Sequence, residues 1–300
     1  MLTDHRASAP ARPVDARALQ RIAARVARQP DVPWLHREVA RRMAEKLAWI
    51  KRRPATIVDW GAQAGGSADL LSRSYPAARI LPVESCGVEP AETSAMPWWR
   101  RLQRKAPRPV PPGECPDASA ELVWSNMALH HAADIAAVFR EWRRITVVDG
   151  FLMFSTLGPG SLGLLRDVYR DARWGPPLAP LVDMHDLGDL LVESGFADPV
   201  MDQETLSVTW AQPEALLHDL RALGGNAATD RHVGLRTPRW RRALCDALEA
   251  RRDLSGRIAL SLEVVYGHAF RPSPRVRGAE TTTIPLEQMR AMARGSRGRS

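Results

Sequence analysis

The stretch TIVDWGAQAGGSADL, residues 56–70, determines the fold class that we predict for this chain. TIVDW is a short, β-branched run closed by glycines, which is the pattern of a buried strand that enters a tight turn. Ser67 then stands at the N-cap position of the helix predicted by ADLLSRSY. A strand, a glycine-containing turn and a helix in this order are typical of a doubly wound α/β sheet.

The same alternation continues along the chain. Further strands are predicted at 78–84, 121–126, 151–156 and 259–270, with helices between them. The tripeptide VDG, residues 148–150, is predicted to turn the chain into the 151–156 strand. Residues 14–53 are predicted to form a helix that Pro54 ends, and residues 213–252 are predicted to form two helices. The pattern therefore predicts an α/β domain that carries a small helical insertion.

This organisation divides the chain into five segments. We expect an N-terminal helical segment 1–53, a core 54–212, a helical lid 213–258, a last core strand 259–270 and a basic, disordered tail 271–300. Within the core, seven prolines between residues 85 and 118 leave little room for regular structure.

Composition excludes several classes of protein. Apolar residues make up 45% of the 300 residues, which is enough for a sizeable core. No apolar run approaches the ~18 residues that a membrane span needs. The N-terminus lacks the hydrophobic segment of a secretory signal, and the three cysteines show neither metal-ligand nor disulfide spacing. We therefore expect a cytoplasmic protein without a bound metal.

The net charge of +8 is concentrated in two places. The tail 271–300 holds seven arginines against two glutamates, and RRLQRKAPR at 100–108 adds five positive charges. These stretches are either solvated or form a basic face for an acidic partner. A nucleic-acid partner is not favoured, because the tail has no periodic pattern and no recognisable reading element.

The turn after the first predicted strand has features of a nucleotide site. Its glycines let the backbone approach a ligand closely and present helix N–H groups to it. Glu84 lies 23 residues beyond Gly61, about where such sheets hold ribose hydroxyls. No lysine follows the turn, so a P-loop is excluded. A turn of this kind is also common in purely structural roles.

Four later motifs are more specific. They are SNMALHH (125–131), FSTLGPGSL (154–162), VDMHDLGD (182–189) and VYGHAF (265–270). Together they resemble the malonyl-[acyl-carrier-protein] O-methyltransferases, S-adenosylmethionine-dependent enzymes that open the pimeloyl branch of biotin synthesis. The resemblance covers about residues 20–272.

The resemblance implies a Rossmann-like class I methyltransferase. Its sheet would have seven mostly parallel strands, with the last one antiparallel and S-adenosylmethionine across the ends of the first strands. The implied cofactor-binding residues are Asp59, Gly61, Gly65, Glu84, Ser125 and Asn126. His130 and His131 are the candidates for contact with a substrate carboxylate, although helix-start histidines also commonly face solvent.

The implied reaction is methylation of the free carboxylate of a malonyl thioester on acyl carrier protein, with neither a membrane nor a nucleic acid as partner. Two positions depart from the family motif, since Ala62 replaces its cysteine and Gln63 its middle glycine. A positive φ at Gln63 would cost about 1 kcal/mol. The family also places an acidic residue after its third strand to hold the adenine amino group, and the matching segment 100–118 offers neither a strand nor a convincing acid, because Asp117 is a poor candidate. The alternative is a catalytically degenerate paralogue that acts as a binding or regulatory protein.

Overall fold

The computed structural model describes residues 13–84 and 109–274, which build a mixed sheet with helices on both faces. The strands of these residues are β1 (Thr56–Trp60), β2 (Arg79–Val83), β3 (Ala120–Ser125), β4 (Thr146–Leu157), β5 (Ala197–Trp210) and β6 (Ile258–Phe270). Their order is β2-β1-β3-β4-β6-β5. The first four strands are parallel, whereas β6 runs antiparallel to both β4 and β5.

The predicted α/β class and the antiparallel last strand are confirmed, but the strand count differs. Seven strands were expected, and the described residues contain six. Beyond β2, Val110 forms an isolated parallel bridge with Val83, which continues the sheet by one residue pair. Residues 85–108, which include the basic stretch 100–108, lie outside the described residues.

Helices cover the two faces of the sheet and enclose two apolar cores. They are α1 (Ala16–Ala27), α2 (Trp34–Leu47), α3 (Ala62–Gly65), α4 (Ala68–Ser74), α5 (Ile135–Ile145), α6 (Gly163–Asp171), α7 (Met184–Glu193), α8 (Pro213–Leu223) and α9 (Pro238–Glu249). Successive side chains of a strand point to opposite faces. Thus Trp124 of β3 packs in the core under α2, α4, α8 and α9, and its neighbour Val123 packs under α5 and α7.

Local patterns located most of these elements correctly. The strands predicted from TIVDW, 78–84, 121–126 and 259–270 are β1, β2, β3 and β6, and the two helices predicted within 213–252 are α8 and α9. Ser67 is the N-cap of α4 as predicted, but its hydroxyl makes no capping bond. Instead, Ser67 Oγ accepts a hydrogen bond of 2.8 Å from the indole N–H of Trp124.

Two local predictions were wrong. The helix expected over 14–53 is two helices, because prolines at 30 and 33 interrupt it; Pro33 is the N-cap of α2, which already ends at Leu47. VDG does not turn the chain into a new strand, because β4 already begins at Thr146. The tripeptide instead lies in an irregular part of β4, where Asp149 has a φ of 61° and the register with β3 shifts.

The helices α8 and α9 pack with the sheet in one apolar core, and α1 contacts the end of α8. Gln29, just after α1, donates a hydrogen bond of 2.7 Å to the carbonyl of Ala222 at the end of α8. Within the described ranges, no helix has the length and apolarity needed to cross a membrane. The same ranges hold no cluster of three or more His, Cys, Asp or Glu residues suited to a metal ion. The tail from residue 275 onward lies outside them.

Candidate active site

The turn between β1 and α4 forms one wall of the candidate site. Gly61 has a φ of 75°, and its N–H donates to the carbonyl of Val83 at 2.8 Å, which ties the turn to the end of β2. A Cβ at Gly61 would lie only 2.8 Å from the Cβ of Ala128. Gly66 also has a positive φ, of 65°. Both positions therefore require glycine, for backbone conformation and for space.

Gln63 does not need the conformation that glycine favours. It lies within the short helix α3, and it is absent from the described residues with positive φ. The condition for strain at this position, a positive φ at Gln63, is therefore not met. The backbone N–H of Gln63 instead donates a hydrogen bond of 2.6 Å to Glu84 Oε1.

Two carboxyl groups are buried at this turn. Asp59 lies in β1 and is 1% exposed, and neither of its oxygens has a hydrogen-bond partner. Burial, and secondarily the charge of Glu84, raises the pKa of Asp59 to about 7. Burial also raises the pKa of Glu84 to about 7, against the opposing effect of the hydrogen bond from Gln63. Among the described residues no cation pairs with either acid, which makes this end of the sheet suitable for a positively charged ligand.

The end of β3 supplies two buried polar residues with different roles. Ser125 Oγ is buried and has no hydrogen-bond partner among the described residues. Asn126 is fully engaged within the protein, because its side-chain N–H groups donate to the carbonyls of His36 at 2.8 Å and Gly65 at 2.7 Å. Its oxygen accepts a hydrogen bond of 2.8 Å from Ser155 Oγ. Asn126 therefore holds the turn against α2 and β4.

The predicted cofactor residues thus lie together at the carboxyl ends of β1, β2 and β3. His130 and His131 lie farther along, in a single 3-10 turn after β3, with ring centroids 4.1 Å apart. Both line an adjoining cavity under α8 and α9. Asp117 lies elsewhere, with a side chain that is 78% exposed and paired with Arg144.

Sequence reasoning missed His36 and Arg25. His36 of α2 is buried against the turn, where its Nδ1 lies 2.8 Å from the carbonyl oxygen of Ala64. Burial lowers the pKa of His36 to about 4, so the imidazole is neutral at pH 7. Arg25 of α1 lines the cavity beside the histidines. The helical pattern could have placed both residues on helices. It could not have shown that His36 contacts Ala64 or that Arg25 lines the cavity, because these contacts involve segments that are distant in sequence.

Comparisons with known proteins agree with this geometry. A methyltransferase domain family matches residues 61–154. The chain is 38% identical to the malonyl-[acyl-carrier protein] O-methyltransferase of Gallionella capsiferriformans, over 88% of this chain and 93% of that protein. It is also 38% identical to the enzyme of the same name from Nitrosospira multiformis, over 80% of this chain and 84% of that one. A crystal structure of the YcgJ protein from Bacillus subtilis shares the fold with a TM-score of 0.53, at 13% identity over 79% of this chain and all of that one.

Proposed function

Because the chain belongs to the malonyl-[acyl-carrier protein] O-methyltransferase family, we propose that it methylates the free carboxylate of a malonyl thioester on acyl carrier protein. The protein is an S-adenosylmethionine-dependent methyltransferase, and the proposal names its acceptor and places the reaction early in biotin synthesis, in the cytoplasm. The observation that carries the choice of acceptor is the 38% identity to a malonyl-[acyl-carrier protein] O-methyltransferase over most of both chains, and the pair of buried carboxyl groups at the glycine turn supports the cofactor.

The residues of the turn suit S-adenosylmethionine, which carries a net positive charge and two ribose hydroxyl groups. The unpartnered oxygens of Asp59 can accept from donors of the ligand, and a positive charge nearby would favour the ionised carboxylate. One oxygen of Glu84 is occupied by Gln63, so the other remains for a ribose hydroxyl. Ser125 Oγ offers a further hydrogen-bonding group. The bound cofactor supplies an electrophilic methyl group on a sulfonium.

Methyl transfer to a carboxylate requires little acid–base chemistry from the protein. A malonyl carboxylate is already ionised at pH 7, so no general base has to remove a proton. The chain contributes a fixed relative placement of donor and acceptor, an effect that can lower a barrier by ~7–11 kcal/mol. It also excludes water, because the leucines of α8 and α9 cover the cavity beside the turn. The reaction joins an anion to a cation and yields two neutral groups, so an apolar cavity favours it.

The proposal is tested by incubating the purified protein with S-adenosylmethionine and malonyl acyl carrier protein, followed by mass spectrometry of the carrier. We expect the malonyl group to gain one methyl ester, which mild base removes, and S-adenosylhomocysteine to inhibit the transfer. Acetyl acyl carrier protein, which has no free carboxylate, is the matched control.

Two outcomes would reject the proposal. An unmodified malonyl carrier, with measurable S-adenosylmethionine binding, would show that the methyl acceptor is a different molecule. An unmodified carrier without cofactor binding would instead support the degenerate paralogue that the altered glycine motif leaves open.

A further inference from the structure

The cavity beside the glycine turn has an unusual distribution of charge. Its volume is about 560 Å³, and leucines from β4, α6, α8 and α9 form much of its wall. Among the described residues that line it there is no aspartate or glutamate, but there are four arginines. They are Arg25, Arg221, Arg236 and Arg241. An apolar cavity whose permanent charges are all positive fits an anionic ligand with an apolar body.

Of the four arginines that line the cavity, Arg25 belongs to the helix that packs against the glycine turn. Its helix α1 contacts the turn through Ala64, which packs on the apolar side of α1. The guanidinium of Arg25 donates to the carbonyl of Gly224, at the end of α8. A Cβ built on Gly224 would lie 3.1 Å from His131 Nε2, so Arg25 and His131 approach the same glycine.

This end of the cavity adjoins the candidate cofactor site. His131 belongs to the 3-10 turn that directly follows Ala128. Ala128 is the residue that a side chain at Gly61 would strike, at 2.8 Å. His131 therefore lies three residues of chain from a residue that contacts the glycine turn, and Arg25 meets His131 at Gly224. A carboxylate bound by Arg25 would therefore lie at the end of the cavity that adjoins the candidate cofactor site, from which the methyl group is delivered.

The charge of Arg25 is not balanced within the described part of the chain. Its contacts there are to backbone carbonyls, of Gly224 and of Arg221 at 3.5 Å, and it forms no ion pair. The residue as a whole is exposed, but partial burial of the guanidinium, followed by the charge of Arg221, lowers the pKa of Arg25. Arg236, in contrast, stacks on Trp240 with its guanidinium 4.6 Å from the ring centroid and donates to the carbonyl of Trp174 at 2.9 Å.

We propose that Arg25 binds the substrate carboxylate and makes the enzyme selective for acidic acyl thioesters. This inference rests on the proposed function and names the residue that chooses its substrate. In the reaction, a carboxylate oxygen forms a bond to the methyl carbon while the carbon–sulfur bond breaks and its electron pair passes to sulfur. No proton moves. Because the carboxylate loses charge as the bond forms, Arg25 binds the ground state at least as tightly as the transition state. It should therefore control KM more than kcat.

The test compares the affinities of malonyl and acetyl acyl carrier protein, each measured in the presence of S-adenosylhomocysteine. In Arg25→Gln we expect the preference for the malonyl thioester to fall about tenfold or more, as befits loss of a charge-assisted hydrogen bond. KM should rise by a similar factor while kcat changes less than about threefold. Arg25→Lys should restore part of the preference, because it restores the charge.

Gln29→Ala is the matched control for loosening of the lid. Gln29 also holds the end of α8 from α1, through the 2.7 Å hydrogen bond to Ala222, but it carries no charge. We expect this variant to leave the malonyl preference unchanged. An equal loss of preference in Gln29→Ala would overturn the inference, because Arg25 would then act only by holding α8.

Other outcomes separate the inference from the proposed function. An unchanged preference in Arg25→Gln, or a loss in Arg236→Gln instead, would overturn the inference even if the wild-type protein methylates malonyl carrier protein. A wild-type protein that prefers the malonyl thioester but transfers no methyl group would reject the proposed function. In that case, the ratio of malonyl to acetyl carrier protein affinity in Arg25→Gln would still show whether Arg25 binds the carboxylate.

Discussion

Replacing Asn126 by alanine should destabilise the protein strongly, because this buried side chain makes three hydrogen bonds within the protein. It donates to the carbonyls of His36 and Gly65 at 2.8 and 2.7 Å, and it accepts from Ser155 at 2.8 Å. Each bond is worth roughly 1–1.5 kcal/mol, so Asn126→Ala should lower the free energy of unfolding by about 3–4.5 kcal/mol. That loss is a large fraction of the 5–15 kcal/mol typical of a folded domain.

Urea denaturation of wild-type and variant protein measures this loss, with an unchanged slope against urea as the sign that the same structure unfolds. Ser155→Ala is the control: it removes the third bond and the 3.1 Å hydrogen bond that Ser155 Oγ accepts from the Met127 N–H, which keeps the Ser155 carbonyl as its acceptor, so it should cost about 1–2 kcal/mol. Asn126→Ala should also weaken S-adenosylmethionine binding, since Gly65 loses its anchor in the turn. A destabilisation below about 1 kcal/mol would refute the argument that Asn126 holds the turn in place.

Two further predictions concern the turn itself. The pKa of Asp59 is raised from 3.8 to about 7, so between about pH 4 and 7 the folded protein holds a proton that the unfolded chain releases, and the free energy of unfolding falls as pH rises. In the absence of ligand, the Tm of Asp59→Asn should therefore fall less than that of the wild type between pH 5 and 8, and parallel Tm curves would contradict this. The variant should also bind S-adenosylmethionine more weakly. Because Gln63 has helical backbone, Gln63→Gly should lower the free energy of unfolding by up to about 1 kcal/mol without improving cofactor affinity. Tenfold tighter binding in a calorimetric titration would show that Gln63 obstructs the site.

The strands and the glycine turn could be predicted because their signals are local. The β-branched run of β1 and the glycines after it lie within a few residues of each other, and the spacing to Glu84 follows from one strand–helix–strand unit. The motifs around Asn126 likewise identified the family, and that identification also indicated the cofactor.

The parts that sequence reasoning missed depend on contacts between distant segments. Arg25 looks like one more solvated arginine of α1, and only the fold brings it to Gly224, 199 residues away. The cofactor contact of Asn126 stays a prediction, but the side-chain hydrogen bonds that it makes to His36, Gly65 and Ser155 could not be predicted, because these residues are distant in sequence. The backbone of Gln63 was also unpredictable, because a family pattern states which residue is usual but not which φ this turn adopts.

The most direct test of the account is a calorimetric titration of the purified protein with S-adenosylmethionine and S-adenosylhomocysteine at pH 8. The central claim is that the buried acids at this altered turn still hold the cofactor. The account predicts binding of both ligands at micromolar concentrations, with weaker binding of S-adenosylmethionine in Asp59→Asn. No binding up to about 1 mM, which corresponds to a binding free energy weaker than about −4 kcal/mol, would contradict the claim.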